Sequence, residues 1–307
     1  MSRQKENYWS TYGFRIIIST ASHPLEYAKV LIQIGYEPFP PKPATSLLGK
    51  PVLKLPNIFE YVKHIKTVDG FSGCYRGLVP KILGNTVGAL ASQKVLDSFD
   101  FDKPIDSQDD NRTEAEKERD RYVKTLTKEV VSRFTAIVFS QPFHVITIRM
   151  MAQFVGGETK YNGVFGSVRE IYRENGLSGF FSGLIPRVLG DIISLCLASS
   201  LIYCVNTYLL EDKELQMYTS VSMSFLASTL TYPFLLISNC MAVTGSGLAA
   251  GAPPYMPVYT SWVDCWSHLS RTGQMKRGSS LLVRYYNGPQ VVINGRAVPI
   301  NIDGKNY

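Results

Sequence analysis

GFSGCYRGLVPKILGN (residues 70–85) and GLSGFFSGLIPRVLGD (residues 176–191) are two copies of one sequence, identical at half of their positions. The likeness extends upstream without a gap, because LPNIFEYVKHIKTVDG (55–70) aligns with YNGVFGSVREIYRENG (161–176) at the same offset of 106 residues. Their shared apolar positions recur at helical spacing, and both segments end at a glycine, which is typical of a capped amphipathic helix. A repeat at a fixed offset predicts a fold built from similar units.

A third, shorter copy of the repeat begins at VYTSWVDCWSHLSRTG (258–273), and only traces of the pattern follow it. Upstream of each copy an apolar stretch is broken by a proline, at Pro24, Pro142 and Pro233. A proline removes one backbone hydrogen bond and bends a helix, and a membrane bundle tolerates this when its neighbours satisfy the freed carbonyl. Each unit is therefore predicted to contain a kinked membrane helix, a surface helix and a second membrane helix.

Five segments are near or above the ~20 residues that are needed to cross a hydrocarbon core. The sequence after Gly273 is too polar and too rich in glycine and proline to supply a sixth. We therefore expect an all-α integral membrane protein with a three-fold repeat of kinked helix, surface helix and membrane helix, from which the sixth membrane helix is missing. The expected spans lie near residues 10–35, 77–97, 122–154, 183–210 and 218–243. The expected divisions are repeat 1 (1–97), a charged flexible linker (98–121), repeat 2 (122–210), a truncated repeat 3 (211–283) and a polar C-terminal tail (284–307).

The composition is typical of a membrane protein with a hydrated interior. Hydrophobic residues make up 45% of the 307-residue chain and charged residues 19%, with a mean hydropathy of −0.01. The net charge of +7 comes from basic residues scattered near the ends of apolar segments, so nucleic acid is not an expected partner. The cysteines and histidines form no metal-ligand spacing and no nucleophile motif, so we expect no metal, no cofactor and no enzymatic activity.

The proline-kinked helix followed by GxxGxxxGLxP[RK] resembles the repeat of the mitochondrial carrier family. A closer resemblance, covering nearly the whole chain, is to the divergent branch of mitochondrial carrier homologs. It implies a multi-pass protein of the outer mitochondrial membrane that inserts tail-anchored and other α-helical membrane proteins. It also implies membrane lipids and pro-apoptotic regulators as partners. The segments that carry it are YAKVLIQIGYEPFPP (27–41), QPFHVITIRMM (141–151), FFSGLIPRVLGDIISL (180–195), TYPFLLISN (231–239) and PPYMPVYTSWVDCW (253–266).

The resemblance also implies a gate, because a transporting carrier has an acidic and a basic residue after each kink proline. Here only the first such pair, Glu26 and Lys29, is present. Repeat 2 has His144 and Thr147 at these positions, and repeat 3 has no charged residue there. A gate made of three salt bridges is therefore not expected, and Glu26 and Lys29 are predicted to remain as a residual pair.

Without a sixth helix, the polar interior of the bundle is expected to open to lipid along one side as a lateral groove. Charged side chains at membrane depth cost a few kcal/mol each unless they face partners or water. Structural roles stay open beside this one: Arg149 could extend to the membrane interface, and Asp191 could pair with Arg187. The side chains expected to line the groove and contact clients are Lys29, Asp191, Arg149, Tyr232, Asn239 and His144.

A hydrated groove favours an insertase, because the hydrophilic terminus of a client could cross while its apolar helix moves sideways into lipid. A receptor or scaffold for apoptotic or metabolic regulators is the first alternative, and it would use the linker or the surface helices. A solute carrier or a lipid scramblase is the second. Solute exchange would require a closed six-helix barrel and intact charge pairs, and the sequence argues against both.

Overall fold

The computed structural model describes residues 2–46, 49–98, 113–208, 213–288, 290–293 and 296–299. This part of the chain is mostly helical, as the sequence predicts. The long helices are α1 (Ser2–Ile34), α3 (Leu78–Ser98), α4 (Glu114–Ala152), α6 (Leu184–Tyr208) and α7 (Lys213–Val243). The shorter ones are α2 (Ile58–Gly73), α5 (Gly163–Asn175) and α8 (Trp262–Arg271), with single 3-10 turns at Leu177–Phe181 and Ala249–Gly251.

Each kink proline lies inside a long helix, in α1, α4 and α7. The three amphipathic segments form α2, α5 and α8, which follow the kinked helices along the chain. Side chains cap two of them: Asn57 accepts the N–H of Glu60 (3.0 Å), and Ser261 accepts the N–H of Asp264 (3.2 Å). At three places, therefore, a long kinked helix is followed by a short surface helix.

Two segments have the length and apolarity of a membrane span, Leu177–Asn206 and Gln216–Val243. Only 11% and 22% of their apolar windows are buried inside the protein, so most of this apolar surface faces outward. A soluble protein would bury such helices in its core, whereas a bilayer covers them with lipid. Within the described residues α6 and α7 meet this criterion, and for α1, α3 and α4 a membrane crossing stays a prediction.

The charged segment 98–121, predicted to be a flexible linker, is in part helical, because α4 already begins at Glu114. The N–H of Thr113 donates to the Glu116 carboxylate (3.1 Å), which satisfies one free donor at the start of the helix. Charges of both signs at helical spacing stabilise an exposed helix, and charge density alone does not reveal this. The rest of the predicted linker, 99–112, lies outside the described residues.

The expectation of an all-α fold needs a correction, because the loop after α1 and the C-terminal tail form strands. An antiparallel sheet in the order β1-β2-β3 consists of β1 (Lys42–Thr45), β2 (Pro51–Leu55) and β3 (Arg284–Tyr285). A second antiparallel pair consists of β4 (Gln290–Ile293) and β5 (Arg296–Pro299). The tail satisfies its backbone groups by pairing, and a search for apolar spans does not detect such short strands.

Arg284 anchors the first sheet to the bundle. Its side chain is buried, its guanidinium pairs with the Glu37 carboxylate, and it donates to the carbonyl of Pro56 (3.0 Å). The hydroxyl of Tyr61 on α2 donates to the same carboxylate. Burial, assisted by the negative charge of Glu37, raises the pKa of Tyr61, so this hydroxyl stays a protonated donor. The beginning of the tail is therefore part of the folded structure.

The three kinked helices meet near their C-terminal ends, and we call this region the closed end. Tyr27 of α1, Ile146 of α4 and Leu236 of α7 lie in one buried cluster there. In the N-terminal half of α1, by contrast, Phe14 and Ile17 are 64% and 66% exposed. The bundle is thus closely packed at one end, whereas these apolar side chains of α1 face outward.

Candidate functional site

The residue before each kink proline makes the same kind of contact. Its side chain lies within hydrogen-bonding distance of a backbone carbonyl in the turn that follows a surface helix, and that carbonyl each time belongs to the residue before a glycine. The three pairs are His23 Nε2 with the carbonyl of Arg76 (3.0 Å), Gln141 Nε2 with that of Ser182 (2.8 Å) and Tyr232 Oη with that of Arg277 (2.7 Å).

The glycines in these turns have φ angles of 85°, 73° and 78°, which favour glycine over any residue with a Cβ. Each glycine also lies against the next kinked helix. A Cβ on Gly77 would lie 3.1 Å from the Thr147 carbonyl oxygen of α4, and one on Gly183 would lie 2.4 Å from the Ser238 carbonyl oxygen of α7. The third glycine, Gly278, packs against Gln33 of α1, so the last turn leads back to the first helix.

Gln33 joins α1 to α7 at the closed end. Its side-chain amide donates to the hydroxyl of Tyr232 (3.0 Å) and accepts a hydrogen bond from Asn239 (2.8 Å). Its backbone carbonyl accepts from Nε of Arg277 (2.8 Å). We call Lys29, Gln33, Tyr232, Asn239 and Arg277 the α1–α7 seam. Two of the predicted groove residues, Tyr232 and Asn239, therefore share Gln33 as a hydrogen-bonding partner.

Lys29 lies on the seam beside Tyr232. Its ammonium is 5.6 Å from the centroid of the Tyr232 ring, and among the described residues no carboxylate lies within 4.0 Å of it. The predicted residual pair of Glu26 and Lys29 is wrong. Glu26 instead pairs with Lys81 of α3 and accepts a hydrogen bond from Ser22 (3.0 Å). Helical spacing places Glu26 and Lys29 near one face, but the neighbouring helices draw them apart.

The polar contacts continue from the seam into the bundle. His144 of α4 lies near Asn239 and within electrostatic range of Arg187 of α6. Arg187 donates to the side-chain carbonyl of Gln141 (2.8 Å), and Asp191 interacts with its charge from one turn away. The direct salt bridge expected as an alternative for Asp191 is not formed, because the two groups do not approach within 4.0 Å. Lys29, His144 and Asp191 therefore belong to one polar path from α1 to α6.

Arg149 lies away from this path. It is fully buried in the last turn of α4 and donates to the carbonyl of Ala242 (2.9 Å), the side chain of Asn175 (2.9 Å) and the hydroxyl of Tyr161 (3.2 Å). The first of these contacts satisfies a carbonyl at the C-terminal end of α7, where a positive charge is favourable. Its position contradicts both sequence-based expectations, a groove residue and a side chain that extends to the interface. The reason is that α4 ends at Ala152, which places Arg149 inside the closed end.

Gln33 and Arg277 are the seam residues that sequence reasoning missed. A signal for Arg277 exists, because KRG at 276–278 occupies the place of YRG at 75–77 in the first repeat. Gln33 carries no such signal, since it lies nine residues beyond Pro24 in an apolar run. The role of a lone amide side chain in such a run can be recognised only when its partners on α7 are known.

A cavity of about 430 Å³ lies elsewhere, between the turn after α2 and the start of α5. Asp69, Arg76 and Tyr161 are among the residues that line it, and it shares no residue with the seam. Among the described residues, no cluster of three or more histidine, cysteine or acidic side chains could hold a metal ion. The seam and its polar path are therefore the candidate site.

Comparison with known proteins agrees with this architecture. The model of the mitochondrial carrier protein family matches residues 14–100 and 118–213. Mitochondrial carrier homolog 2 of Bos taurus is 46% identical over 274 residues, which cover 87% of this chain and 90% of that protein. The protein of the same name from Homo sapiens gives the same figures. Mitochondrial carrier homolog 1 of Mus musculus is 40% identical over 291 residues, 87% of this chain and 74% of that protein.

The family match covers the first two units, with the kink prolines of α1 and α4, the surface helices α2 and α5 and the turns at Gly77 and Gly183, and the relatives align over most of the chain. The chain therefore belongs to the mitochondrial carrier family, as a divergent member that is similar to the mitochondrial carrier homologs.

Proposed function

We propose that the protein is an insertase of the outer mitochondrial membrane for tail-anchored and other α-helical membrane proteins. Clients would pass through a lateral polar groove that begins at the α1–α7 seam. The observation that carries this proposal is Lys29, a half-buried cation that has no carboxylate within 4.0 Å among the described residues, on a helix whose N-terminal half exposes Phe14 and Ile17. A charge in this position requires water or a polar partner, and a bilayer supplies neither at its centre.

The arrangement of the turns supports a three-fold unit without its last helix. The three carbonyl contacts and the three glycines recur in the order of the repeats, and the third set ends at Gly278. The chain then enters the β3 strand at Arg284 instead of a long helix. A missing sixth helix would leave α1 and α7 without the neighbour that separates them in a closed barrel.

The chemistry of the path suits passage of a hydrophilic segment. Along it, Lys29, Arg187 and Asp191 supply charges of both signs, and Tyr232, Asn239 and His144 supply hydrogen-bonding groups. The outward apolar faces of α6 and α7 place lipid next to this path. A client helix would gain roughly 25 cal/mol for each Å² of apolar surface that leaves water, so the protein need only lower the barrier.

The positions of the charged residues fit solute exchange less well than insertion. A gate needs an acid and a base that meet across each kinked-helix interface, but Glu26 pairs with a lysine of the adjacent α3 and Lys29 faces an aromatic ring. The corresponding positions of the other two repeats include Thr147 and Ser238, which are neutral. We therefore propose insertion and not solute exchange. Movement of lipid through the same groove can be measured in the same liposomes.

The proposal is tested by reconstituting the purified protein in liposomes and scoring protease-protected insertion of a tail-anchored client. Wild type should insert more client than empty liposomes. Asp191→Arg should reduce insertion several-fold, because it puts a second cation beside Arg187 and removes the only acid of the path. Asp97→Arg is the matched control, since Asp97 is exposed at the end of α3. Insertion no better than in empty liposomes would refute the proposal.

A further inference from the structure

The surface helices α2 and α5 expose the same pair of side chains. Phe165 on α5 is 90% exposed, and Phe59 on α2, 106 residues earlier, is 60% exposed. About one turn after each phenylalanine comes an exposed cation, Lys63 on α2 and Arg169 on α5. Among the described residues, neither cation has a carboxylate within 4.0 Å. Two helices from different repeats thus carry an aromatic ring and an unpaired cation on one exposed face.

The exposed apolar surface continues from these helices towards the membrane helices. Phe71 and Leu177 occupy equivalent positions just after the glycine that ends each amphipathic segment, and both are exposed. Val79 and Ile185, at the starts of α3 and α6, are a second equivalent and exposed pair. Ile185 belongs to the candidate span Leu177–Asn206, most of whose apolar surface faces outward. Because a bilayer would cover that surface, an apolar row leads from the acyl chains to the exposed face of α5.

The third surface helix, α8, lacks this row. In the third copy of the repeat, Trp262 and Trp266 take the places of Phe165 and Arg169. Both indole rings are half-buried and pack against the core. The ring of Trp266 lies 4.9 Å from that of Phe234 on α7, measured between centroids. The positions that α2 and α5 expose are therefore used by α8 for packing inside the protein.

We infer that α2 and α5 lie in the headgroup layer of the leaflet at the closed end and bind its anionic lipids, whereas α8 does not. The two phenylalanines enter the boundary between headgroups and acyl chains, and Lys63 and Arg169 pair with anionic headgroups. The partner is a lipid surface and not a single enclosed lipid, because these four side chains lie outside the cavity beside Arg76. The inference rests on the membrane location of the long helices and not on the proposed insertase activity.

The chemistry of the row favours lipid over a soluble partner. A phenylalanine ring gains free energy when it leaves water, and a leaflet can cover Phe59 and Phe165 together with the apolar residues that follow them. A helix that lies in the headgroup layer typically carries large apolar side chains beside lysine and arginine, as α2 and α5 do. The leaflet would therefore hold the closed end through two of its three units, and α8 would stay unattached.

The test uses the full chain without its native cysteines, reconstituted in vesicles of phosphatidylcholine and phosphatidylserine. A polarity-sensitive fluorophore is attached at Phe59→Cys or Phe165→Cys, and its quenching by lipids brominated near the headgroup end of the acyl chain is measured. Both leaflets contain the brominated lipid, so the orientation of the protein does not matter. We expect quenching several-fold stronger than at Ser267→Cys, the matched control, because Ser267 is exposed on α8.

Charge reversal provides an independent readout. Lys63→Glu combined with Arg169→Glu should lower the quenching at both labels by about twofold or more in vesicles that contain phosphatidylserine, and much less in phosphatidylcholine alone. Arg271→Glu is the matched control, because Arg271 is exposed at the end of α8, and it should leave the quenching unchanged. Circular dichroism shows whether each variant keeps its helices.

The proposal is overturned if the labels at Phe59→Cys and Phe165→Cys are quenched no more than the label at Ser267→Cys, which would leave the row to a soluble partner. It is also overturned if the charge reversals act equally in both kinds of vesicle, because the cations would then not bind anionic lipid. Equally strong quenching at Ser267→Cys would contradict the distinction between α8 and the other two surface helices.

Discussion

The Lys29 ammonium of α1 lies 5.6 Å from the centroid of the Tyr232 ring of α7, across the seam at which the two helices meet. A cation over an aromatic ring gains about 0.5–2 kcal/mol. That gain is smaller than the cost of burying an unpaired ammonium in hydrocarbon, so for an α1 that crosses the membrane, as the sequence predicts, we expect water to reach this position. The contact thus fixes the direction of the Lys29 side chain without neutralising its charge.

Hydration at this position leads to the first prediction. In a background without native cysteines, Lys29→Cys should react with a membrane-impermeant charged maleimide in intact proteoliposomes whose outer solution has access to the proposed groove. Ile17→Cys is the control, because Ile17 is 66% exposed on the N-terminal half of the same helix and should face lipid. If the maleimide modifies neither cysteine, whichever way the protein is oriented in the vesicles, there is no hydrated groove at Lys29.

Tyr232→Phe tests the seam itself. The substitution keeps the ring under Lys29 but removes the hydroxyl that donates to the Arg277 carbonyl and accepts from Gln33. Two buried groups then lack a partner, and the free energy of unfolding should fall by about 1–3 kcal/mol. Denaturing-detergent titration measures it, with Tyr218→Phe as the control, because Tyr218 is 66% exposed. Equal stability of the two variants would contradict the assigned contacts.

Arg149→Met separates a structural role from a role in client contact. It removes hydrogen bonds to Ala242, Asn175 and Tyr161, and each bond from a charged donor contributes about 1.5–3 kcal/mol. A loss of stability of about 3 kcal/mol or more is expected in the same titration. The exposed Arg173→Gln should change stability little. If Arg149→Met keeps wild-type stability but loses insertion, the result would support the groove role that the sequence predicts for Arg149.

Arg284→Met tests whether the tail is anchored. The substitution leaves the carboxylate of Glu37 without its cation and the carbonyl of Pro56 without its donor. We expect trypsin to cleave the C-terminal segment several-fold faster while the helical core stays resistant. Arg271→Met, exposed at the end of α8, is the matched control. Unchanged cleavage would show that the strand pairing alone holds the tail.

Deletion of residues 99–112 separates insertion from scaffolding. The residues of the seam and of the polar path lie outside this segment of the sequence, so on the proposed mechanism insertion into liposomes should stay close to the wild-type level. A scaffold that recruits soluble regulators through the linker would lose that recruitment instead. Loss of insertion in a variant that melts like wild type would place the linker in the insertion mechanism and contradict the assignment to the seam.

The sequence predicts the helices well because their signals are local. Kink prolines, helical periodicity and terminal glycines identify α1, α2, α4, α5 and α7, each within about five residues apart from the starts of α1 and α4, which lie eight residues earlier than expected. The strands escape prediction because β3 contains only Arg284 and Tyr285, and its partner β2 lies more than two hundred residues earlier. Pairing between such distant short segments leaves no periodic signal.

The side-chain partners could be predicted only in part. Tyr232 and Asn239 are predicted from the sequence to line a groove, yet their common partner Gln33 lies two hundred residues earlier in the chain. Glu26 was expected to face Lys29, and its true partner Lys81 depends on how α3 packs beside α1. Periodicity shows which side chains share a face of a helix, whereas the facing helix is decided by tertiary packing.

The third turn, with its glycine at Gly278, has a mechanical consequence. It returns the chain to α1 at the end where the kinked helices converge, so its contacts with Gln33 hold α1 there. Tyr27 and Leu31 of α1 are packed in the core, whereas Phe14 and Ile17 are exposed. On the proposed architecture, the exposed half of α1 would be free to bend at the Pro24 kink while the core stays packed, and the groove beside it would adjust its width to client helices of different diameter.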